Sequence, residues 1–131
     1  MQLSKFTDYA FRALIYLAKS SNENATVDKL AEELDISTHH LKKVINKLAK
    51  TEYIISTKGR NGGLKLGSSP EEINLGKVLL LTEENLSLVE CMNETGTCPL
   101  ISEECKLKSI ICRSLNGFVS EMSKYTLKDI I

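Results

Sequence analysis

Apolar positions along the chain change period several times, and each change marks an element. Leu3, Phe6, Ala10, Ala13, Leu14 and Leu17 recur at helical spacing, which predicts an amphipathic helix over roughly the first 18 residues. A polar stretch, SSNENA, interrupts the pattern. Thr26 then stands where a hydroxyl can cap a second helix, with Val27, Leu30, Ala31 and Leu34 along one face. Asp35-Ile36 predicts a tight turn, and Ser37 can cap a third helix whose inner face is Leu41, Val44, Ile45 and Leu48. Two β-type segments, Ile54 to Thr57 and Leu64 to Leu66, flank KGRNGG and predict a hairpin with a basic, glycine-rich tip. Ser69-Pro70 marks a junction. Ile73 to Leu81 predicts a short apolar helix, and Leu86 to Val89 a brief extended piece. Beyond Cys105, the residues Leu107, Ile111, Leu115, Phe118 and Met122 fall within a stripe under about 100° wide, which predicts a long terminal helix. No repeat or low-complexity segment is present.

Two short helices joined by a tight turn, each apolar on one side, form a helix-turn-helix pattern, and a hairpin directly after the second is a wing. The expected fold is therefore mainly α with a small β-wing. A winged helix-turn-helix unit is expected over residues 1–67, and a cysteine loop with a long C-terminal dimerisation helix over 68–131. A long helix with one apolar stripe needs a partner surface. In a chain of 131 residues a second copy is the natural one, with packing onto the first helix as the alternative.

Net charge is zero, but the halves differ. Residues 1–67 hold 11 Lys/Arg against 7 Asp/Glu, a balance of +4; residues 68–131 hold 6 against 10, a balance of −4. Between Ser37 and Leu66 stand Lys42, Lys43, Lys47, Lys50, Lys58, Arg60 and Lys65, with Glu52 the one acid. Such an excess is a phosphate-binding footprint or a solvated lysine-rich face. On the third helix the side opposite Leu41 carries His39, Lys43, Asn46 and Lys50, donors suited to phosphates and base edges. Ser37, Thr38, His40, Lys42 and Lys47 surround them, and Lys58 and Arg60 sit at the wing tip, where an arginine can enter a minor groove. The expected partner is double-stranded DNA.

Four cysteines follow, Cys91, Cys98, Cys105 and Cys112, spaced C-x6-C-x6-C-x6-C. The first three lie in a polar, turn-rich stretch, ECMNETGTCPLISEEC, able to wrap a metal or cluster. The spacing is not the C-x2-C of zinc ribbons or bacterial ferredoxins. On spacing alone zinc, an iron–sulfur cluster and redox thiols all stay open. If Cys105 begins the long helix, Cys112 lies two turns on, roughly 10 Å along the axis, and is expected to be a helix-surface residue. The N-terminus lacks a signal-peptide layout, and no apolar run reaches the roughly 18 residues of a membrane span. The expected location is the cytoplasm, where clustered cysteines favour metal or redox roles over disulfides. No acid/base or nucleophile constellation suggests an enzyme.

The segments LSKFTDYAFRALIYLA, ISTHHLKKVINKLAKTEYI, KGRNGGLKL, the C…CPL…C-x-L loop and the terminal YTLKDII together resemble the iron–sulfur winged-helix transcriptional regulators of the IscR/NsrR type, in the same order over nearly the whole chain. Within that family the chain looks most like the nitric-oxide-sensing repressors. The resemblance implies a homodimer that binds an inverted-repeat operator. It implies Cys91, Cys98 and Cys105 as ligands of a 4Fe–4S cluster, with 2Fe–2S as the alternative. It further implies Asp8, supplied by the partner subunit, as the fourth ligand, with Arg12 beside it. Without the resemblance, Asp8 and Arg12 would be a helical i,i+4 ion pair. Members of the cluster-biogenesis type carry a histidine shortly after the third cysteine; here KLK follows Cys105. Cys112 matches no ligand position of the family. Nitric oxide is the implied signal, with cluster status, iron supply or oxidative stress as alternatives. A thiol-redox or electron-transfer protein would leave the basic half without purpose, and a zinc-stabilised DNA-binding protein would be colourless.

Overall fold

The computed structural model describes residues 1–20, 25–100 and 105–131. Part of the SSNENA stretch and residues 101–104 of the cysteine loop therefore lie outside the described residues. The elements run α1 (Lys5–Lys19), α2 (Val27–Leu34), α3 (Thr38–Ala49), β1 (Ile54–Thr57), β2 (Gly63–Leu66), α4 (Leu75–Thr82) and α5 (Lys106–Met122), with 3₁₀ turns at Glu90–Met92 and Leu127–Ile130. The mainly helical class with a two-stranded wing agrees with the pattern of the sequence.

Helix starts fall where hydroxyls and amides can satisfy the orphan N–H groups of a first turn. Ser4 accepts from Thr7 N–H, Thr26 from Lys29 N–H, Ser37 from His40 N–H and Asn74 from Lys77 N–H. The first helix therefore begins at Lys5, and Leu3 stays outside it. The turn between α2 and α3 is closed by Asp35, held in the left-handed region at φ 51°. Its N–H donates to Glu32 O, and the next N–H, of Ile36, reaches back to Ala31 O at 2.9 Å. This is the Schellman way of ending a helix, and the buried Ile36 seals it.

The wing strands pair antiparallel, Ile54 opposite Leu66 and Thr57 opposite Gly63. Ala25, just before the Thr26 cap of α2, joins them: Leu64 N–H donates to Ala25 O at 2.6 Å. Gly59 turns the tip at φ +103°, and at Gly62 a Cβ would overlap the Thr57 carbonyl, so both tip glycines answer a geometric need.

One hydrophobic cluster spans the chain. Ala10, Ala13 and Leu14 of α1 share it with Leu30, Leu41, Val44, Leu48 and Ile54 and with Ile73, Val78 and Leu127. The C-terminus is pinned by backbone pairing: Leu75 N–H donates to Tyr125 O, and Leu127 N–H to Ile73 O at 2.8 Å. Ile73 is thus part of a bridge, and the fourth helix begins at Leu75 rather than at Ile73. Leu86–Val89 carries no helix or ladder pairing among the described residues, and Val89 is extended at its end. No helix among the described residues is long and apolar enough to cross a membrane.

The start of α4 touches the end of α5 closely. Asn74 Nδ2 donates to Ser123 O at 2.7 Å, and a Cβ on Gly76 would overlap the Ser123 side chain. Gly76→Ala is expected to lower stability by about 1–3 kcal/mol through overpacking, read as an earlier midpoint in urea unfolding at unchanged slope.

Candidate nucleic-acid and metal-binding sites

On α3 the buried side is Leu41, Val44, Ile45 and Leu48, which turns the opposite side outward. Ser37, Thr38, His39, His40, Lys42, Lys43, Asn46 and Lys50 are all exposed there, and Lys47 is half-buried. The rings of His39 and His40 lie 5.9 Å apart at the helix N-terminus. First-turn N–H groups and the helix dipole make that end attractive to phosphate oxygens. Lys58 and Arg60 project from the wing tip, fully in solvent. None of Lys42, Lys43, Lys47, Lys50, Lys58, Arg60 and Lys65 takes part in an ion pair among the described residues, whereas Arg12, Lys124 and Lys128 each do. A row of cations without carboxylate partners is open to an anionic ligand.

Asp8 and Arg12 sit one turn apart on α1. Arg12 Nε donates to Asp8 Oδ1 at 3.1 Å, and the terminal nitrogen lies 2.8 Å from Oδ2, a two-pronged pair near the surface. The hydrogen bond first, and the carboxylate charge second, hold the Arg12 guanidinium above its ordinary pKa. Within one chain Asp8 is thus engaged by its own helix.

The cysteine segment folds back on itself. Cys91 lies in the 3₁₀ turn Glu90–Met92, Asn93 N–H donates to Glu90 O, and Gly96 N–H donates to Asn93 O at 3.0 Å. Gly96 rests directly on the Glu90 carbonyl, where any Cβ would collide. Cys105 is the N-cap of α5, its Sγ accepting the Lys108 N–H at 3.4 Å. The Lys108 ammonium meanwhile donates to Cys91 O at 3.0 Å, tying the first cysteine's turn to the helix that starts at the third. Cys98 lies between them, half-buried. Cys112 sits on α5 itself, two turns in, as its spacing predicted.

All four cysteines are free thiols. Among the described residues no three His, Cys, Asp or Glu side chains converge into a metal-holding group. The donor set nevertheless suits a thiolate-bound metal. Cys105 caps α5, and Lys106, Lys108 and Arg113 border the open cleft of about 740 Å³ that Cys105 and Cys112 share. Sequence reasoning missed Lys108. Its signal was its place, third after a cysteine that caps a helix, from which a long side chain can turn back toward the loop.

The Rrf2 family, described as iron-dependent transcriptional regulators, matches residues 3–131. The chain belongs to the Rrf2 family. It is 42% identical, over its whole length and 92% of the other protein, to the HTH-type transcriptional regulator NsrR of Bacillus licheniformis. Against the NsrR of Halalkalibacterium halodurans the identity is 44%, over the whole chain and 90% of that protein. The backbone also matches T. potens IscR with a TM-score of 0.78 at 20% identity, covering 99% of this chain and 85% of that one, a likeness of fold. Rrf2 proteins are regulators and not enzymes.

The fold of the loop in this Rrf2 chain depends on Gly96. Gly96→Ala is expected to open the Glu90–Gly96 turn while leaving the core intact. Thiol labelling of Cys91 should then accelerate severalfold with no change in the thermal midpoint of the helical core.

Proposed function

We propose that this chain is a dimeric, DNA-binding transcriptional repressor whose thiol loop carries an iron–sulfur cluster and whose signal is nitric oxide. The observation that carries the reading is the presence in one small chain of an unpaired cationic face, on α3 and the wing, and a folded thiol segment tied by Lys108. The NsrR relatives, matched over the whole chain, support the nitric-oxide signal.

In this reading residues 1–67 bind DNA and residues 68–131 hold the cluster and the dimer. Ser37, Thr38, His39, His40, Asn46 and the lysines of α3 meet phosphates and base edges in a major groove, while Lys58 and Arg60 reach along the backbone or into the minor groove. Leu107, Ile110 and Phe118 of α5 are 64%, 51% and 44% exposed, and no residue of that helix is fully buried in the single chain. Burying such side chains contributes about 1.5–3 kcal/mol each, and the same helix of a second copy is the partner we assign. Cys91, Cys98 and Cys105 hold the cluster, a 4Fe–4S centre with 2Fe–2S as the alternative, and Asp8 of the other subunit completes it. Cys112 has no part in it. The group would supply iron that nitric oxide binds avidly. A carboxylate is a harder and weaker ligand for such iron than a thiolate, so the Asp8 position is the one most easily given up. On leaving, Asp8 has a ready partner in Arg12. The protein acts in the cytoplasm. A second signal, iron supply or cluster status, is favoured by the family's description as iron-dependent.

Anaerobic purification, followed by absorption spectra and DNA binding before and after stoichiometric nitric oxide, decides between the signals; an unchanged DNA affinity after nitrosylation removes the nitric-oxide reading. Lys43→Ala or Lys50→Ala is expected to weaken binding to an inverted-repeat duplex and to reduce the slope of log affinity against log salt by roughly one. Alanine at Cys91, Cys98 or Cys105 should abolish bound iron, and alanine at Cys112 should not. Asp8→Ala should retain iron but alter the spectrum and weaken the coupling to DNA. A Cys112→Ala protein without iron, or an Asp8→Ala protein identical to the parent, overturns that ligand assignment.

A further inference from the structure

Glu83 ends α4, and its own N–H donates to Leu79 O at 2.9 Å. Its side chain then crosses to the other end of the chain. One carboxylate oxygen accepts from the Ser4 N–H at 3.0 Å, the Ser4 hydroxyl at 3.1 Å and the Thr7 hydroxyl at 2.6 Å. Thr7 is completely buried, so its hydroxyl has no bulk water to turn to. A carboxylate at the start of a helix is favoured by the dipole, and bonds to a charged acceptor are the stronger kind. Yet α1 already has a local cap, since Ser4 Oγ accepts the Thr7 N–H at 3.2 Å. The carboxylate adds what a local cap cannot, a tie to a distant segment.

What it joins is informative. On the α1 side, Asp8 N–H donates to Ser4 O at 3.0 Å, so Asp8 hangs from the very residue that Glu83 grips. On the other side, residues 84–90 run from Glu83 directly to Cys91. Leu86 and Leu88 of that run, with Leu3 and with Ile111, Leu115 and Phe118 of α5, line an apolar hollow of about 420 Å³, which Glu83 borders. We propose that Glu83 is a positioning residue that couples the cysteine segment to the first turn of α1, so that a rearrangement around Cys91 shifts Asp8. The role attached to that shift rests on the functional reading above; the coupling itself does not.

The test has two parts on the full-length protein. In the first, Gly96→Ala displaces the cysteine turn, and amide hydrogen exchange is followed at Thr7 and Asp8. Exchange there should accelerate severalfold in the parent background, and the increment should vanish in the Glu83→Gln background, where a neutral amide replaces the charged acceptor. An increment of equal size in both backgrounds, or none in the parent, overturns the coupling. In the second, the ratio of DNA affinities between cluster-loaded and cluster-free protein is measured for the parent, Glu83→Gln and the milder Ser4→Ala. Both variants should keep their iron and their circular dichroism, while the ratio falls by about fivefold or more, the size of a typical allosteric coupling. Equal losses in both affinities, with the ratio unchanged, reduce Glu83 to a structural cap and overturn the proposal. A parent ratio of one defeats the functional reading alone, because the exchange experiment is blind to the cofactor.

Discussion

The buried face of α1 is the surface on which most of the described elements pack. Ala10 and Ala13 have no accessible surface, and their small side chains let neighbours approach closely. The helices α2 and α3 and the wing strand β2 all contact α1. So do α4 and the C-terminal 3₁₀ turn, whose Leu127 is fully buried in the same cluster. Elements from before and after the Ser69-Pro70 junction therefore share one core, and those that touch α1 cannot shift against it without opening close-packed apolar contacts. Asp8 and Arg12 pair on the partly exposed side of that same helix.

Local chemistry was legible; distant chemistry was not. Thr26 and Ser37 announced their helices because a hydroxyl before an apolar-periodic run satisfies N–H groups within three residues. The wing hairpin followed from two β-type segments and the glycine tip between them. By contrast, the pairing of Ile73 and Leu75 with Tyr125 and Leu127 joins segments about fifty residues apart, and no local pattern marks it. Glu83 is further still from Ser4, and Thr7 was hidden because a polar residue on a helix's inner face is invisible to a count of apolar positions. In the candidate site the same division holds. The cationic face of α3 could be read from helical spacing, and Cys112 could be set apart from the other cysteines by the two turns between it and Cys105. The Lys108 tie to Cys91 could not, since it depends on where the loop folds back.

Charge is distributed to match that architecture. Among the described residues the cations of α3 and the wing have no carboxylate partners, while in the other half Glu83 and Asp129 cap helices and Glu121 pairs with Lys124. The near-zero net charge thus hides a molecule whose basic surface is kept clear. The thiol segment adds its own local balance, with Lys106, Lys108 and Arg113 gathered where Cys105 begins α5.

The way α5 is fastened has a geometric consequence. Its C-terminal end is clamped, through Asn74, the close contact at Gly76 and the paired backbone of Tyr125 to Leu127. Its N-terminal end, at Cys105, is exposed. Over 17 residues the helix is about 25 Å long. A tilt of about 5° about that clamp carries the opposite end, with the Cys91 turn that Lys108 holds there, through roughly 2 Å at this length. That is about the length of a single covalent bond, so the terminal helix trades small angles at Ser123 for bond-sized displacements at Cys105.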